Sequence, residues 1–200
     1  MVVVVDYRMG NLGSILNMLK KVGAEAVCSS DVHVIAEADR LILPGVGAFD
    51  MGMKNLNDLG LVPVLNRRVV DERTPLLGIC LGMQLLTSES EEGKSPGLGW
   101  IDARTVKLNS SNLKIPHMGW NTIEVKQRHS LFDGLSEPRF YFVHSYHVHC
   151  NNGDNILSTT HYGSEFVSSV VKENILGVQF HPEKSHKFGM RLLSNFAHLI

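Results

Sequence analysis

The stretch Pro75-Leu76-Leu77-Gly78-Ile79-Cys80-Leu81-Gly82-Met83-Gln84 centres a thiol in a G-x-C-x-G turn, with an apolar strand-like run before it and a helix-like run after it. A strand that turns abruptly into a helix lifts the side chain at the turn above the sheet. Glycines two residues before and after leave the space such a turn requires. The thiol then sits at a helix N-terminus, where unpaired backbone N–H groups and the helix dipole favour thiolate over thiol. Taken alone, the same residues also suit a small apolar side chain packed in a strand-to-helix turn, the usual fate of a free cysteine.

A second segment separates these alternatives. In Ile175-Leu176-Gly177-Val178-Gln179-Phe180-His181-Pro182-Glu183, an apolar strand ends in His181, 101 positions after Cys80, with Glu183 two residues on. An imidazole can move a proton to and from sulfur, and a carboxylate on its other nitrogen fixes tautomer and ring direction. Pro182 stiffens the link between base and carboxylate. An isolated His-Pro-Glu would be an ordinary strand end with a solvated acid. Beside the elbow, Cys80, His181 and Glu183 are expected to form a nucleophile, base and orienting acid.

Outward from the elbow, apolar strands alternate with helical periodicity. Val2 to Val5 predicts a core strand, and Leu12, Ile15, Leu16, Leu19 and Val22 fall on one helical face closed by Gly23. Ala26 to Cys28, Leu41 to Leu43 (stopped by Pro44) and Leu76 to Ile79 follow as strands, with a short helix over 31–38. Beyond Glu92 come short strands separated by turn signals: Val106 to Leu108, Thr122 to Val125, Phe140 to Val143, Ile156 to Thr159, Val167 to Val171 and Ile175 to Phe180. Asn151-Asn152-Gly153-Asp154 and Lys172-Glu173-Asn174 predict hairpin turns, and Met190 to Leu199 an amphipathic helix. The expected fold is α/β: a mostly parallel central sheet flanked by helices, with an added antiparallel region, in one domain over residues 1–200.

With 200 residues, 44% hydrophobic and 20% charged, the chain is long enough for a continuous core. A net charge of -1 gives no basic surface for nucleic acid or an anionic membrane, and no apolar run reaches the length of a membrane span. Cys28, Cys80 and Cys150 are an odd set without paired spacing, which suits free thiols in a reducing compartment. Met1-Val2-Val3-Val4-Val5 reads as a core strand rather than a secretory leader, so a cytoplasmic location is expected.

Other residues carry less on their own. Pro44-Gly45-Val46-Gly47 follows a buried strand, and its two glycines suit either a plain turn or a loop aiming backbone N–H groups at an anion. Gln84 lies one helical turn past Cys80 and so can face the same pocket. The cluster Glu89-Ser90-Glu91-Glu92 suits either a solvated helix end or, since acids prefer the other end of a helix dipole, a place where at least one acid is held for function. His144, His147, His149 and Cys150 invite a metal site, but alternation along one strand would put His144 opposite the other two histidines, and no metal is expected. Pro116-His117-Met118-Gly119-Trp120-Asn121 has the composition of an exposed loop, and its large aromatic and methionine suit a docking surface, although Trp120 suits a core position equally.

Through 78–84 and 180–185 the chain resembles the class I, triad-type glutamine amidotransferases. Within that class, Leu43-Pro44-Gly45-Val46-Gly47, 116–121 and Tyr141-Phe142-Val143-His144-Ser145-Tyr146 are similar to the glutaminase subunits of imidazole glycerol phosphate synthases. The likeness runs from the first strand to the last helix and implies a single-domain, flavodoxin-like fold. It implies that L-glutamine is the substrate and that Cys80, His181 and Glu183 are catalytic. Val46, Gly47 and Leu81 would form an oxyanion hole, and Gly47, Gln84, Glu92, Ser145 and Tyr146 would contact substrate. It further implies a heterodimer with a (β/α)8-barrel cyclase docked on Asn11, Pro116, Met118, Trp120 and Asn121, and no cofactor.

One departure is Arg8 in the first strand-to-helix turn, where relatives often carry glycine. Met9-Gly10-Asn11-Leu12-Gly13-Ser14-Ile15 is also similar to paralogues that feed sugar-modifying enzymes of surface polysaccharides. Three readings therefore stay open beside the favoured one: a glutaminase with a different ammonia acceptor, a noncatalytic regulatory subunit of the same fold, and a protease with a similar elbow.

Overall fold

Four consecutive valines form the first strand of a computed structural model that describes residues 1–109 and 113–200. The elements run β1 Val2–Val5, α1 Leu12–Lys21, β2 Ala26–Ser29, α2 Val32–Ala36, β3 Arg40–Gly45, α3 Phe49–Asp58, α4 Leu61–Asn66, β4 Leu76–Cys80 and α5 Leu81–Gln84. There follow β5 Ala103–Lys107, β6 His117–Thr122, β7 Glu124–Val125, β8 Arg139–His144, β9 Tyr146–Cys150, β10 Ile156–Tyr162, β11 Ser164–Lys172, β12 Ile175–Val178 and α6 His186–Leu199. A π-helical turn, Arg67–Asp71, continues α4.

The main sheet has the order β2-β1-β3-β4-β12-β11-β10-β7, with β9 and then β5 branching from β11. From β2 to β12 all pairs are parallel; beyond β12 they are antiparallel. This is the expected α/β class with an antiparallel extension. Side-chain alternation sends Val3, Val5, Leu41 and Leu43 into one core and Val2, Val4 and Ile42 into another. Residues of α2, α3 and α4 pack into the first and those of α1 and α6 into the second, so the parallel strands are buried on both faces.

Several boundaries differ from those the pattern predicts. Pro44 does not stop β3, because the β1–β3 ladder ends at Val4 and Ile42 while β3–β4 pairing continues to Gly45 and Cys80. A proline beyond its neighbour's last rung costs that ladder no donor. Residues 116–121 are not a loop: His117–Thr122 is a strand paired with β8 in a separate two-stranded sheet, its polar composition reflecting one face turned outward.

Residues 151–154 join β9 to β10, strands that pair with β11 rather than with each other, so they make a connection and not a hairpin. Lys172 and Ile175 do bracket the tight β11–β12 hairpin. His144 closes β8 whereas His147 and His149 belong to β9, so they do not share one strand. Glu89 to Glu92 lie beside β5, where Ser90 bridges Thr105, and form no helix end. The helical segment from Phe49 to Asp71 is absent from the pattern-based expectation.

Candidate active site

β3, β4 and β12 are neighbours in parallel register, so the chain leaves all three at the same edge of the sheet. Gly45 stands opposite Cys80, and His181 follows three residues after Val178, which pairs with Ile79. A parallel α/β sheet presents such a crevice at the carboxyl ends of its strands. Here it is a cavity of about 500 Å³.

Cys80 occupies the turn between β4 and α5 with φ 56° and ψ -110°, a conformation L residues rarely hold and one that costs on the order of 1–3 kcal/mol. The flanking glycines explain why it persists. A Cβ on Gly82 would lie 1.7 Å from the Leu43 carbonyl oxygen, and one on Gly78 would lie 2.8 Å from that of Gly82. The thiol lines the cavity and accepts a hydrogen bond from Gln179 Nε2 at 3.7 Å.

His181 faces the same cavity, and its Nδ1 is 2.7 Å from Glu183 Oε1. Because a carboxylate oxygen accepts, Nδ1 carries a proton toward Glu183 and Nε2 is left for the side of the ring that Cys80 acts on. The His181 N–H donates to Tyr141 O at 2.9 Å and its carbonyl accepts from Ser185 Oγ at 2.6 Å, which fixes the backbone. Burial opposes a charged imidazolium. Cys80 and Glu183 together outweigh it and push the His181 pKa up to about 10. Glu183 is not part of the cavity wall; its side chain is 2% exposed behind the ring.

The cavity brings together Val46, Gly47, Leu81, Gln84, Glu92, Ser145 and Tyr146 with the thiol and the imidazole. The N–H groups of Val46 and Gly47 donate to no acceptor among the described residues, and Gly47 has φ 115°. Glu92 Oε2 accepts from Phe49 N at 2.8 Å, completing the start of α3, where Ala48 supplies no side-chain cap. Gln84 differs from expectation in one respect. Its Nε2 donates to Tyr146 O and to Gln179 Oε1, both at 3.0 Å, so the amide nitrogen braces the wall and leaves only its oxygen for a ligand.

Pro116 lines the cavity as well as lying beside the expected docking strand. Met118 and Trp120 project from the exposed face of β6, 61% and 43% exposed, and Asn11 caps α1. Gln179, Val143 and His144 were not singled out for the site from sequence. Gln179 did carry a signal, a polar residue inside an apolar strand run. Arg8 has φ 66°, a backbone conformation in which glycine is unstrained.

A family model described as "Glutamine amidotransferase class-I" matches residues 3–200. The chain is 59% identical over 198 residues to "Imidazole glycerol phosphate synthase subunit HisH 2" of Methanococcus maripaludis, covering 98% of each. It is 50% identical over 202 residues to the protein of the same name in Pseudomonas aeruginosa, covering 100% of each. Among solved structures, a putative GMP synthase subunit of Thermoplasma acidophilum superposes with TM-score 0.73 at 20% identity, covering 98% of this chain and 91% of the other. That last likeness is one of fold.

Proposed function

Because the chain belongs to the class-I glutamine amidotransferase family, we propose that it is the glutaminase subunit of an imidazole glycerol phosphate synthase in histidine biosynthesis. Residues 1–200 act as one glutaminase unit, and no cofactor enters the reaction. The Cys80–His181–Glu183 constellation at the mouth of three parallel strands is the observation that carries this assignment.

Cys80 Sγ attacks the side-chain amide carbon of L-glutamine, and the tetrahedral oxyanion is stabilised by backbone N–H groups of Leu81 and of the Val46–Gly47 loop. In comparable hydrolytic sites each such donor contributes about 3–4 kcal/mol. As the C–N bond breaks, His181 gives its proton to the departing ammonia, leaving a γ-glutamyl thioester. Water attacks the thioester with His181 now taking a proton, the C–S bond breaks, and glutamate leaves with the thiol restored. Glu183 holds the imidazole in the productive tautomer throughout.

Glu92 receives the substrate ammonium, while Ser145 and Tyr146 meet its carboxylate and Gln84 and Gly47 complete the wall. A cavity of about 500 Å³ suits a small amino acid. The exposed side chains of Met118 and Trp120, with Asn11, Pro116 and Asn121 nearby, form the docking face for a (β/α)8-barrel cyclase subunit. In bulk water the ammonia would be protonated and lost, so a closed heterodimer interface serves the coupled reaction. No helix is long and apolar enough to cross a membrane among the described residues, in keeping with work in the cytoplasm.

The test is reconstitution with the cyclase subunit encoded beside histidine-biosynthetic enzymes in the same cell. A one-to-one complex that converts the ribulosyl precursor at the expense of glutamine is expected. Productive coupling only to a sugar-modifying synthase would transfer the assignment to that acceptor.

A further inference from the structure

A line of hydrogen bonds runs from the inner face of β6 to the substrate wall. His144 Nδ1 is 2.9 Å from Tyr146 O, His117 Nδ1 is 3.0 Å from His144 Nε2, and Asn121 Nδ2 is 3.3 Å from His117 Nε2. Its direction follows from chemistry. A carbonyl can only accept, so His144 carries its proton on Nδ1 and accepts at Nε2; His117 must then donate from Nδ1 and accept at Nε2 from the Asn121 amide. Each ring is used once as donor and once as acceptor, and both are neutral. Burial agrees with this, lowering His117 to about 4 and His144 to about 3.

Two features tie this line to the site. Tyr146 O, its terminus, also accepts from Gln84 Nε2 at 3.0 Å, and Ser145 O accepts from Leu108 N at 2.8 Å, so both carbonyls of the turn are anchored away from a ligand. Strand β6 alternates: His117 is buried and Asn121 half-buried on one face, while Met118 and Trp120 stand exposed on the other. One strand therefore carries the docking side chains outward and the hydrogen-bonded pair inward, and His117 and His144 are cross-strand partners in the β6–β8 register.

We propose that Asn121, His117 and His144 form a positioning relay that sets the Ser145–Tyr146 turn for the amino-acid end of glutamine and makes that setting depend on the seating of β6. The inference rests on the glutaminase assignment. None of the three is a catalytic residue; they act through the turn. A shift of β6 on docking reaches the turn as a change in one chain of fixed donors, and its effect falls on substrate binding more than on the thiol chemistry.

The test compares His117→Asn, His117→Gln and His117→Phe in the complex with the cyclase. Phe keeps the stacked ring between Phe142 and Tyr162, at 4.8 and 4.0 Å, but removes the donor to His144. Asn loses the ring yet returns an amide donor at the Nδ1 position, whereas Gln places its amide one bond too far. From the strength of a neutral hydrogen bond, Phe and Gln are expected to raise KM for glutamine about tenfold with kcat within about threefold, and Asn to stay near wild type. Alkylation of Cys80 by iodoacetamide should be unaltered in all three.

A merely structural His117 would instead make Asn at least as damaging as Phe, tracking thermal stability. That order, or an unchanged KM in both Phe and Gln, overturns the relay. Should Phe fail to fold, the Asn–Gln pair, which lose the same ring, decides it alone. A wild-type complex that makes no glutamate from glutamine would remove the glutaminase assignment itself, an outcome distinct from active variants with an unchanged KM.

Discussion

Gly82 is pressed against the carbonyl of Leu43, so that a Cβ on it would sit 1.7 Å from that oxygen. The contact ties α5 to β3 and holds the backbone at Cys80 in its strained conformation. Gly82→Ala must push two backbones apart, so a loss of about 3 kcal/mol or more in unfolding free energy is expected. Urea denaturation measures it, and a change below about 0.5 kcal/mol would contradict the packing described.

Glu183 Oε1 lies 2.7 Å from Nδ1 of His181, behind a ring that lines the cavity with Cys80. Glu183→Gln keeps the shape but removes the charge and can impose the wrong tautomer. Turnover of glutamine should fall by about a hundredfold or more with KM little changed. Cys80 and Glu183, acting together on His181, set a stability signature at high pH. With His181 raised to about 10, its contribution is complete below the ordinary histidine value near 6.5 and is lost as pH rises through about 10. Thermal melts across that window should decline in wild type and decline less steeply in Glu183→Gln, where Cys80 still raises the imidazole.

The buried histidine pair gives the opposite signature. Desolvation lowers His117 to about 4 and His144 to about 3, the latter against the opposing hydrogen bond to the Tyr146 carbonyl. A depressed histidine favours the neutral fold, so stability is whole above the unfolded value near 6.5 and drains as pH falls toward 4. Between pH of about 7 and 5 the loss should be on the order of 1–2 kcal/mol per ring. His117→Phe should remove about one ring's share of that slope, as read from urea midpoints at the two pH values.

Much of this was legible in sequence because local pattern and tertiary demand agree there. Runs such as Val2 to Val5 are apolar on both faces because the parallel strands are covered on both faces. The elbow was legible for the same reason: Gly78 and Gly82 answer close backbone contacts that any such turn makes. Strand β6 was not, since its composition is set by one face that meets solvent and another whose His117 and Asn121 are hydrogen-bonded inward, a division visible only once β8 is beside it. The roles of His144 and of the Gln84 amide were hidden likewise, because each depends on Tyr146 O, 62 residues away in sequence from Gln84.

Trp120 stacks on His186 with its ring planes 6° apart and is still 43% exposed. A large aromatic left uncovered beside an exposed Met118 is the expected anchor of the proposed docking face. Trp120→Ala should weaken the heterodimer by about tenfold to a hundredfold, measured by titration calorimetry, while shifting the chain's own stability by about 1 kcal/mol or less. Leu199→Ala, on the exposed end of α6, should leave the affinity alone.

The most direct measurement is glutamate released from glutamine by the complex with the cyclase subunit, comparing wild type with Cys80→Ser. Wild type is expected to form glutamate and ammonia in equal amounts through an acid-stable adduct on Cys80, and Cys80→Ser to form neither above background. Undiminished glutamate release by Cys80→Ser would contradict the account at its centre.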